Sequence, residues 1–549
     1  MARNFKKTRK TRNAADQDKT AVQRNSGKET QYPRTGDKLS SLNDLSWYAR
    51  YPDLLQAAAS LPFPYRPGRT GIMGNLEYKI KADNDTTINK KPTYAIPGFM
   101  TLQWAPSAGR SDSQTDPISI AAKEIYSKVR SKFSGSLDAD APDFIMYLLA
   151  LDSIFAYIGS LKRIYRALSC YSPNNYALPT GLLTVLGFDA NEQQDLLEHK
   201  MEFFQYINQL VYMTRKFVCP AGFDIMNRHY WMNDNVYADA PTPNSQMYVF
   251  RQMYVYKYGQ INTPDDIPAA GAKLIPITIE TPSGNTALDL FTFGKDLIDA
   301  LASWDDSYTI SGYLMRAYEG YPQFVVDLLS YDEQLTPVYV EEVLTQIENS
   351  MPIIDGAFGT ILADVSQDPK TNLLLCNPRV QVTAAVAKAA SCEAYNIPCR
   401  LTLRPDAPSA ADVVIASRLC ATMGTVGLSD TKYTMEIYAG TEIPISWSVA
   451  WPYSSAQGIK WRDVAINSFN VVNQYANSTF QQINWQLVAL LYTQQFDWHP
   501  VVWAFALQTD TVNELVAMGD VHNFTFFQPE TLNNIHRVCI YSEFNAFSE

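Results

Sequence analysis

The chain has 549 residues, with 33 Tyr, 25 Phe and 10 Trp, and 56 acidic against 45 basic side chains for a formal net charge of −11. This length exceeds what one hydrophobic core usually serves, so two or three domains are expected, with one inserted in another. Seven cysteines, odd in number and never in CxxC spacing, argue against a disulfide-built secreted scaffold and imply reduced thiols in a cytosolic setting.

The charge is not evenly spread. Residues 1–38 hold eleven cations (Arg3, Lys6, Lys7, Arg9, Lys10, Arg12, Lys19, Arg24, Lys28, Arg34 and Lys38) against Asp16, Asp18, Glu29 and Asp37, a net of about +7. The rest of the chain keeps 34 cations and 52 anions, or −18. Only Phe5, Val22 and Tyr32 in that arm could be buried, which does not offset the entropy of ordering it, so residues 1–41 are expected to form a disordered arm. No apolar run follows the basic start, so it does not read as a secretory signal, and its acidic residues argue against a mitochondrial presequence. A polycationic tail on an acidic body is suited to meeting a polyanion with the tail alone. On its own such a tail also fits a solubilising or nuclear-targeting role.

Beyond the arm, Leu42 to Arg69 carries Pro52, Pro62, Pro64 and Pro67, the mark of an extended segment lying across a surface, its own or a neighbour's. The four prolines from Pro52 to Pro67 lead us to expect that this segment crosses to a partner subunit. Asp116 and Pro117 open a helix with Ala121, Ile125, Val129 and Phe133 on one stripe, stopped by Gly135. Asp140 and Pro142 open a second, apolar nearly all round through Phe155 and therefore central. The apolar run Phe144 to Ile158 is broken by Asp152 and Ser153, too interrupted to span a bilayer, which implies a soluble chain. A third helix is expected from Asn191 to about Val218, with Leu197, Met201, Phe204 and Val211 on one stripe and Phe203, Ile207 and Leu210 beside it.

The middle of the chain reads differently. Strands are expected at Tyr248 to Tyr258, Leu274 to Thr281 and Ala287 to Phe293, the last two forming a hairpin across Pro282 to Asn285, with further strands at Tyr433 to Tyr438 and Ile443 to Ala450. Helices are expected at Pro337 to Asn349 capped by Thr336, at Val380 to Ala394 and at Ser409 to Met423; from Trp461 the pattern turns helical again, notably over Phe480 to Gln494. The fold class implied is α+β and mainly helical. The expected division is a shell-type base layer over 42–235 and 455–549 with a mixed α/β module, 236–454, inserted between.

Candidate chemistry is sparse. His199 and Glu202 stand one helical turn apart but lack the second histidine that zinc would need. The acid pairs Asp138 and Asp140, Asp265 and Asp266, Asp305 and Asp306 lack the bracketing Glu and glycine of a calcium loop and read as caps and turns. Gly294 and Lys295 are followed by Asp296, where a phosphate-binding loop needs a hydroxyl. A Cys and His pair meeting only in space stays open. No catalytic residue, metal or cofactor is assigned, and the arm cations are the candidate binding residues.

The basic arm ending near Lys38, the aromatic and Pro-rich entry Trp47 to Pro67, the helix-rich first third and the Tyr-rich stretch Gln246 to Gln260 together resemble picobirnavirus capsid proteins over the whole chain. The resemblance implies a non-enzymatic coat protein that self-assembles as symmetric dimers, with two chains per asymmetric unit, into an icosahedral shell similar to that of partitiviruses. It also implies a helical shell domain, a protruding domain and segmented double-stranded RNA inside, in a virion assembled in host cytoplasm. Two other classes fit parts of the sequence: an RNA-coating nucleoprotein without icosahedral order, and a cytosolic enzyme with a basic targeting tail. The −18 body speaks against the first, which needs a basic groove.

Overall fold

The computed structural model describes residues 47, 56–60, 79–81, 87–89, 98–170, 177–241, 245–260, 272–279, 284–353, 364–368, 370–383, 399–428, 432–455, 458–466, 469–471, 485–508, 511–518 and 522–545. The chain divides into residues 1–39, which lie outside the described residues, and a unit spanning Ser40–Glu549. Within that unit the fold is α+β, with helices and mixed sheets, as the sequence implies.

The first helix and strands described in this unit are α1 (Gln56–Ala59) and the antiparallel pair β1 (Lys79–Lys81) and β2 (Thr87–Asn89), followed by β3 (Phe99–Pro106). In α2 (Pro117–Lys132) the proline fills the first turn, where its missing N–H costs nothing, and Ala121, Ile125 and Val129 are buried as their spacing requires. Asp116 supports the preceding turn instead of the helix, accepting from the Asp112 and Ser113 amides at 2.9 and 2.8 Å. Next comes α3 (Ala141–Ala167), 27 residues buried almost throughout and opened by Asp143, which accepts from the Asp140 amide at 2.7 Å. Its length and composition would suffice to cross a membrane, but 94% of its apolar window is buried inside the protein. It is the axis of the largest core cluster.

The expected third helix is three elements. After α4 (Ala177–Val185), α5 (Ala190–Glu198) and α6 (Lys200–Thr214) are separated at His199, whose backbone leaves the helical region. The break changes which stripe faces inward. Phe203, Ile207, Leu210 and Val211 are buried, whereas Leu197 and Met201, expected inside, are 54% and 49% exposed. The next helix, α7 (Asp224–Asp234), lies along α3, where Gly159 lets the Tyr230 ring approach; a Cβ there would sit 3.1 Å from it.

The expected strand Tyr248 to Tyr258 divides at Met253. After β4 (Tyr237–Ala238), β5 (Met247–Gln252) and β6 (Tyr254–Gln260) enter different sheets, β6 pairing with β7 (Ala272–Thr278). The expected strand at Ala287 to Phe293 is instead the start of α8 (Ala287–Ala302), so no hairpin forms there. Thr286 accepts from the Asp289 amide at 3.3 Å and Asp289 returns to the Thr286 amide at 3.2 Å, a reciprocal cap that outweighs the β-branched and aromatic composition. Gly294 is a packing glycine within α8; a Cβ would meet Leu210 at 2.8 Å and Tyr157 at 2.9 Å.

After α9 (Asp305–Ala317), α10 (Glu341–Glu348) starts later than expected, with Val340 and not Thr336 at its N-cap. Val338 is held extended because its amide donates to Val236 O and its carbonyl accepts from Ala238 N. The strands β8 (Val365–Asp368), β9 (Leu373–Cys376) and β10 (Arg379–Thr383) follow; β10 overturns the expected helix from Val380, whose remaining residues 384–394 lie outside the described ones. Residues Arg379–Thr383 pair instead with the later strand Lys432–Tyr438 in an antiparallel ladder. Then come β11 (Cys399–Leu403), α11 (Ala410–Ser417), which lies within the expected helix and is capped by Ser409, and β12 (Thr422–Leu428), which replaces the end of the expected helix to Met423.

The remainder is β13 (Lys432–Tyr438), β14 (Glu442–Ser455), β15 (Gly458–Ile466), β16 (Phe469–Val471), α12 (Trp485–Thr493), β17 (Val502–Gln508), β18 (Thr511–Met518), β19 (Asn523–Phe527) and α13 (Pro529–Glu543). The helical reading from Trp461 fails at β15, where Trp461 pairs with Pro452 across a hairpin; it holds at α12. The five-stranded sheet β15-β14-β3-β5-β4 joins strands from all three expected segments, with β3 and β5 parallel and Trp447 opposite Leu102. Trp104, Trp447 and Trp451 from this sheet pack in a second cluster with Leu344 and Ile347 of α10.

Candidate functional site

The eleven candidate cations, Arg3, Lys6, Lys7, Arg9, Lys10, Arg12, Lys19, Arg24, Lys28, Arg34 and Lys38, all lie outside the described residues. Of the candidate acids, Asp140 and Asp305 open α3 and α9, while Asp265 and Asp266 lie outside the described residues. His199 sits at the α5–α6 break with Nδ1 3.0 Å from Asp195. Among the described residues no group of three or more His, Cys, Asp or Glu could hold a metal ion.

Cys170, Cys219, Cys376, Cys420 and Cys539 are buried thiols. Burial pushes Cys170 and Cys376 up to about 12 and Cys539 to about 11, so they stay protonated near neutral pH and are poor nucleophiles. An open cleft of about 340 Å³ is lined by Asp239, Tyr339, Arg404, Asp497, Trp498 and His522. Its groups are engaged with neighbours. Arg404 lies 3.3 Å over the Trp498 ring, His522 is 3.2 Å from Glu348, and Asp239 accepts from the Tyr248 hydroxyl at 2.5 Å and the Asp497 amide at 3.0 Å.

The densest chemistry is a buried ionic cluster that local sequence reading missed. Arg228 from α7 donates through Nε to Glu442 at 2.9 Å and through Nη2 to Gln346 at 2.6 Å. Arg418, just after α11, donates through Nη2 to Glu442 at 2.7 Å, to Glu543 at 2.6 Å and to the Thr441 hydroxyl at 2.8 Å. Thr441 in turn donates to Glu543 at 2.6 Å. Beside it, His229 Nδ1 and Asp152 stand 2.6 Å apart, with His229 Nε2 3.9 Å from Glu442. All six charged or titratable groups are at most 1% exposed.

Burial opposes every charge here, so the neighbours decide each ionisation state. For Glu442 burial works against the carboxylate, yet Arg418 and Arg228 outweigh it and hold the group well below the usual range. Glu543 is raised to about 7, by burial first and by Glu442 among its neighbours, against the opposing pull of Arg418. Burial also raises Asp152, and the Asp152 carboxylate overcomes the burial of His229 to raise the imidazole, so the pair holds a proton between them. His536 is lowered to about 4 by burial and by Arg418, and as a neutral ring it donates from Nε2 to Cys420 O at 2.8 Å. This cluster ties α3, α7, α10, α11, β14 and α13 together. Its sequence signals were faint: Asp152 interrupting an apolar helix, and Arg228 with His229 inside a buried stretch.

A fully buried cluster that binds distant segments together suits a structural protein. The comparisons agree. A model of the picobirnavirus capsid protein family matches residues 47–450. The capsid protein precursor of human picobirnavirus, strain Human/Thailand/Hy005102/-, is 27% identical over 535 residues, covering 93% of this chain and 92% of the relative. An X-ray structure of the picobirnavirus capsid superposes with a TM-score of 0.69 at 22% identity, covering 92% of this chain and 99% of that one, a likeness of fold. The chain belongs to the picobirnavirus capsid protein family, whose members are structural proteins of the virion.

Proposed function

We propose that this capsid protein pairs as symmetric dimers, that the dimers close into an icosahedral shell around double-stranded RNA, and that assembly takes place in host cytoplasm. The observation that carries the RNA part is charge segregation within a capsid-family chain, about +7 over residues 1–38 and −18 over the rest. The eleven arm cations, Arg3 through Lys38, neutralise phosphates and release counterions without reading sequence, while an acidic body keeps packed duplex from adhering elsewhere. Eleven cations per chain offset only part of a genome's charge, and mobile cations supply the rest.

In this reading residues 42–235 and 455–549 form the shell layer and 236–454 an outward module, with the five-stranded sheet as their seam, since its strands come from all three segments. The role is structural, with other copies of the chain and RNA as partners and no small-molecule substrate or cofactor. Electron microscopy of the purified full-length protein tests it. Closed shells of uniform diameter are expected; filaments of coated RNA, or a protein that stays unassembled, would contradict it.

A further inference from the structure

The C-terminal half of α3 borders a partly enclosed cavity of about 60 Å³, to which α7, β5 and α8 also contribute lining residues. That is well above the roughly 10–15 Å³ that one water needs, and enough for several waters or one tetrahedral oxyanion. The lining holds two arginines, Arg163 and Arg251, and no carboxylate among the described residues. Arg163 is 1% exposed and donates from Nη1 to Met232 O and Asn235 O, both at 3.2 Å, at the C-terminal end of α7. Its Nε has no hydrogen-bond partner among the described residues, and neither has Oδ1 of Asn233 in the same lining. Asp234, whose charge also reaches Arg163, is hydrogen-bonded to Arg166 instead.

A buried guanidinium without a carboxylate is unfavourable, and the carbonyls ending α7 offset only part of that. Arg251 reaches the cavity from β5 by lying against Gly187, where φ is +100° and a Cβ would collide with the guanidinium. Leu186 and Phe188, on either side of that glycine, belong to the same lining. Arg251 also attracts the Asp463 carboxylate of β15, so its charge is shared between that group and the cavity. We propose that this cavity binds a small tetrahedral oxyanion of the inorganic phosphate class. Its oxygens accept from Arg163 and Arg251, and its P–O–H group donates to Asn233 Oδ1. The space is too small for a nucleoside, so the ligand is the free ion and not the backbone of a nucleic acid.

Melting of the full-length protein in inorganic phosphate, against chloride at equal ionic strength and neutral pH, tests it. A saturable rise in melting temperature is expected. Arg251→Met is expected to move the half-saturating phosphate concentration up roughly tenfold or more, the worth of one charge-assisted hydrogen bond. Ser160→Asp places a carboxylate of the chain's own in the lining, where Ser160 is half-buried. It is expected to melt higher than the wild type without phosphate and to lose the phosphate-dependent rise. Phosphate on the basic arm, and its general salting-out effect, act alike on all three proteins. A rise of equal size and midpoint in the wild type and both variants would therefore overturn the proposal, as would no saturable rise in the wild type. If Arg251→Met does not fold, Ser160→Asp decides alone. Duplex RNA at the same phosphate concentration is expected to shift wild type and variants equally; a shift by RNA that the variants lose would overturn the assignment to a free ion.

Discussion

Arg418 Nη2 lies 2.7 Å from Glu442 and 2.6 Å from Glu543, and none of the three side chains meets solvent. One guanidinium thus compensates two carboxylates that arrive from β14 and α13, more than 100 residues apart in sequence. Removing it leaves Glu442 with Arg228 alone and Glu543 without a guanidinium, a loss of buried pairing usually worth about 3–5 kcal/mol. Arg418→Met should lower the unfolding free energy of the dissociated subunit by that order, measured by urea titration. A cost under about 1 kcal/mol would show that the cluster is not compensated as described.

The same cluster sets a pH dependence. Glu543 is raised from 4.5 to about 7, so the native state binds its proton more tightly; that stabilisation is complete below pH 4.5 and lost as pH rises through 7. His229 is also raised, adding stability that is complete below 6.5 and lost above it. Asp143 and Asp239, each raised to about 6 by burial, act with the same sign as Glu543. Glu442 is lowered and has the opposite sign, contributing above pH 4.5 and losing its contribution as pH falls. Subunit melting temperature should therefore be higher near about pH 5.5 than at pH 8 and fall again in stronger acid. Glu543→Gln should flatten the alkaline side; an unchanged pH profile in that variant would remove Glu543 from the account.

The Pro-rich entry gives a third prediction. Trp47 packs edge-on to Trp231 at 5.6 Å and Ala58 of α1 is buried beside Leu401 and Cys539, so the segment's first half packs within its own unit. Leu61, Phe63 and Tyr65 lie outside the described residues, and the crossing to a partner subunit is narrowed to them. Changing these three to Ser should leave subunit melting unchanged while shifting the sedimenting species from dimer to monomer. A dimer of undiminished affinity would show that the segment stays at home.

Helices with an opening cap and a clean apolar stripe were legible in the sequence: α2 and α3 stand where Asp116, Pro117, Asp140 and Pro142 place them. Composition misled where a local cap overrode it, as at α8, where Thr286 and Asp289 fix a helix in a segment rich in β-formers. It also misled at β10 and β15, because strand pairing with β13 and β14 is non-local and has no counterpart in helical spacing. The α5–α6 stripe failed because the break at His199 shifts the helical phase, turning Leu197 and Met201 outward. The ionic cluster was hidden for a related reason: Asp152, Arg228, Arg418, Glu442 and Glu543 are scattered singly, and only the tertiary fold brings them together.

In the proposed division of labour the arm holds RNA and the residues after about Leu42 build the shell. Deleting residues 1–38 and measuring both particle diameter by electron microscopy and RNA content by absorbance tests it most directly. Shells of the wild-type diameter with markedly less RNA are expected. Failure to form shells, or shells with unchanged RNA, would contradict it.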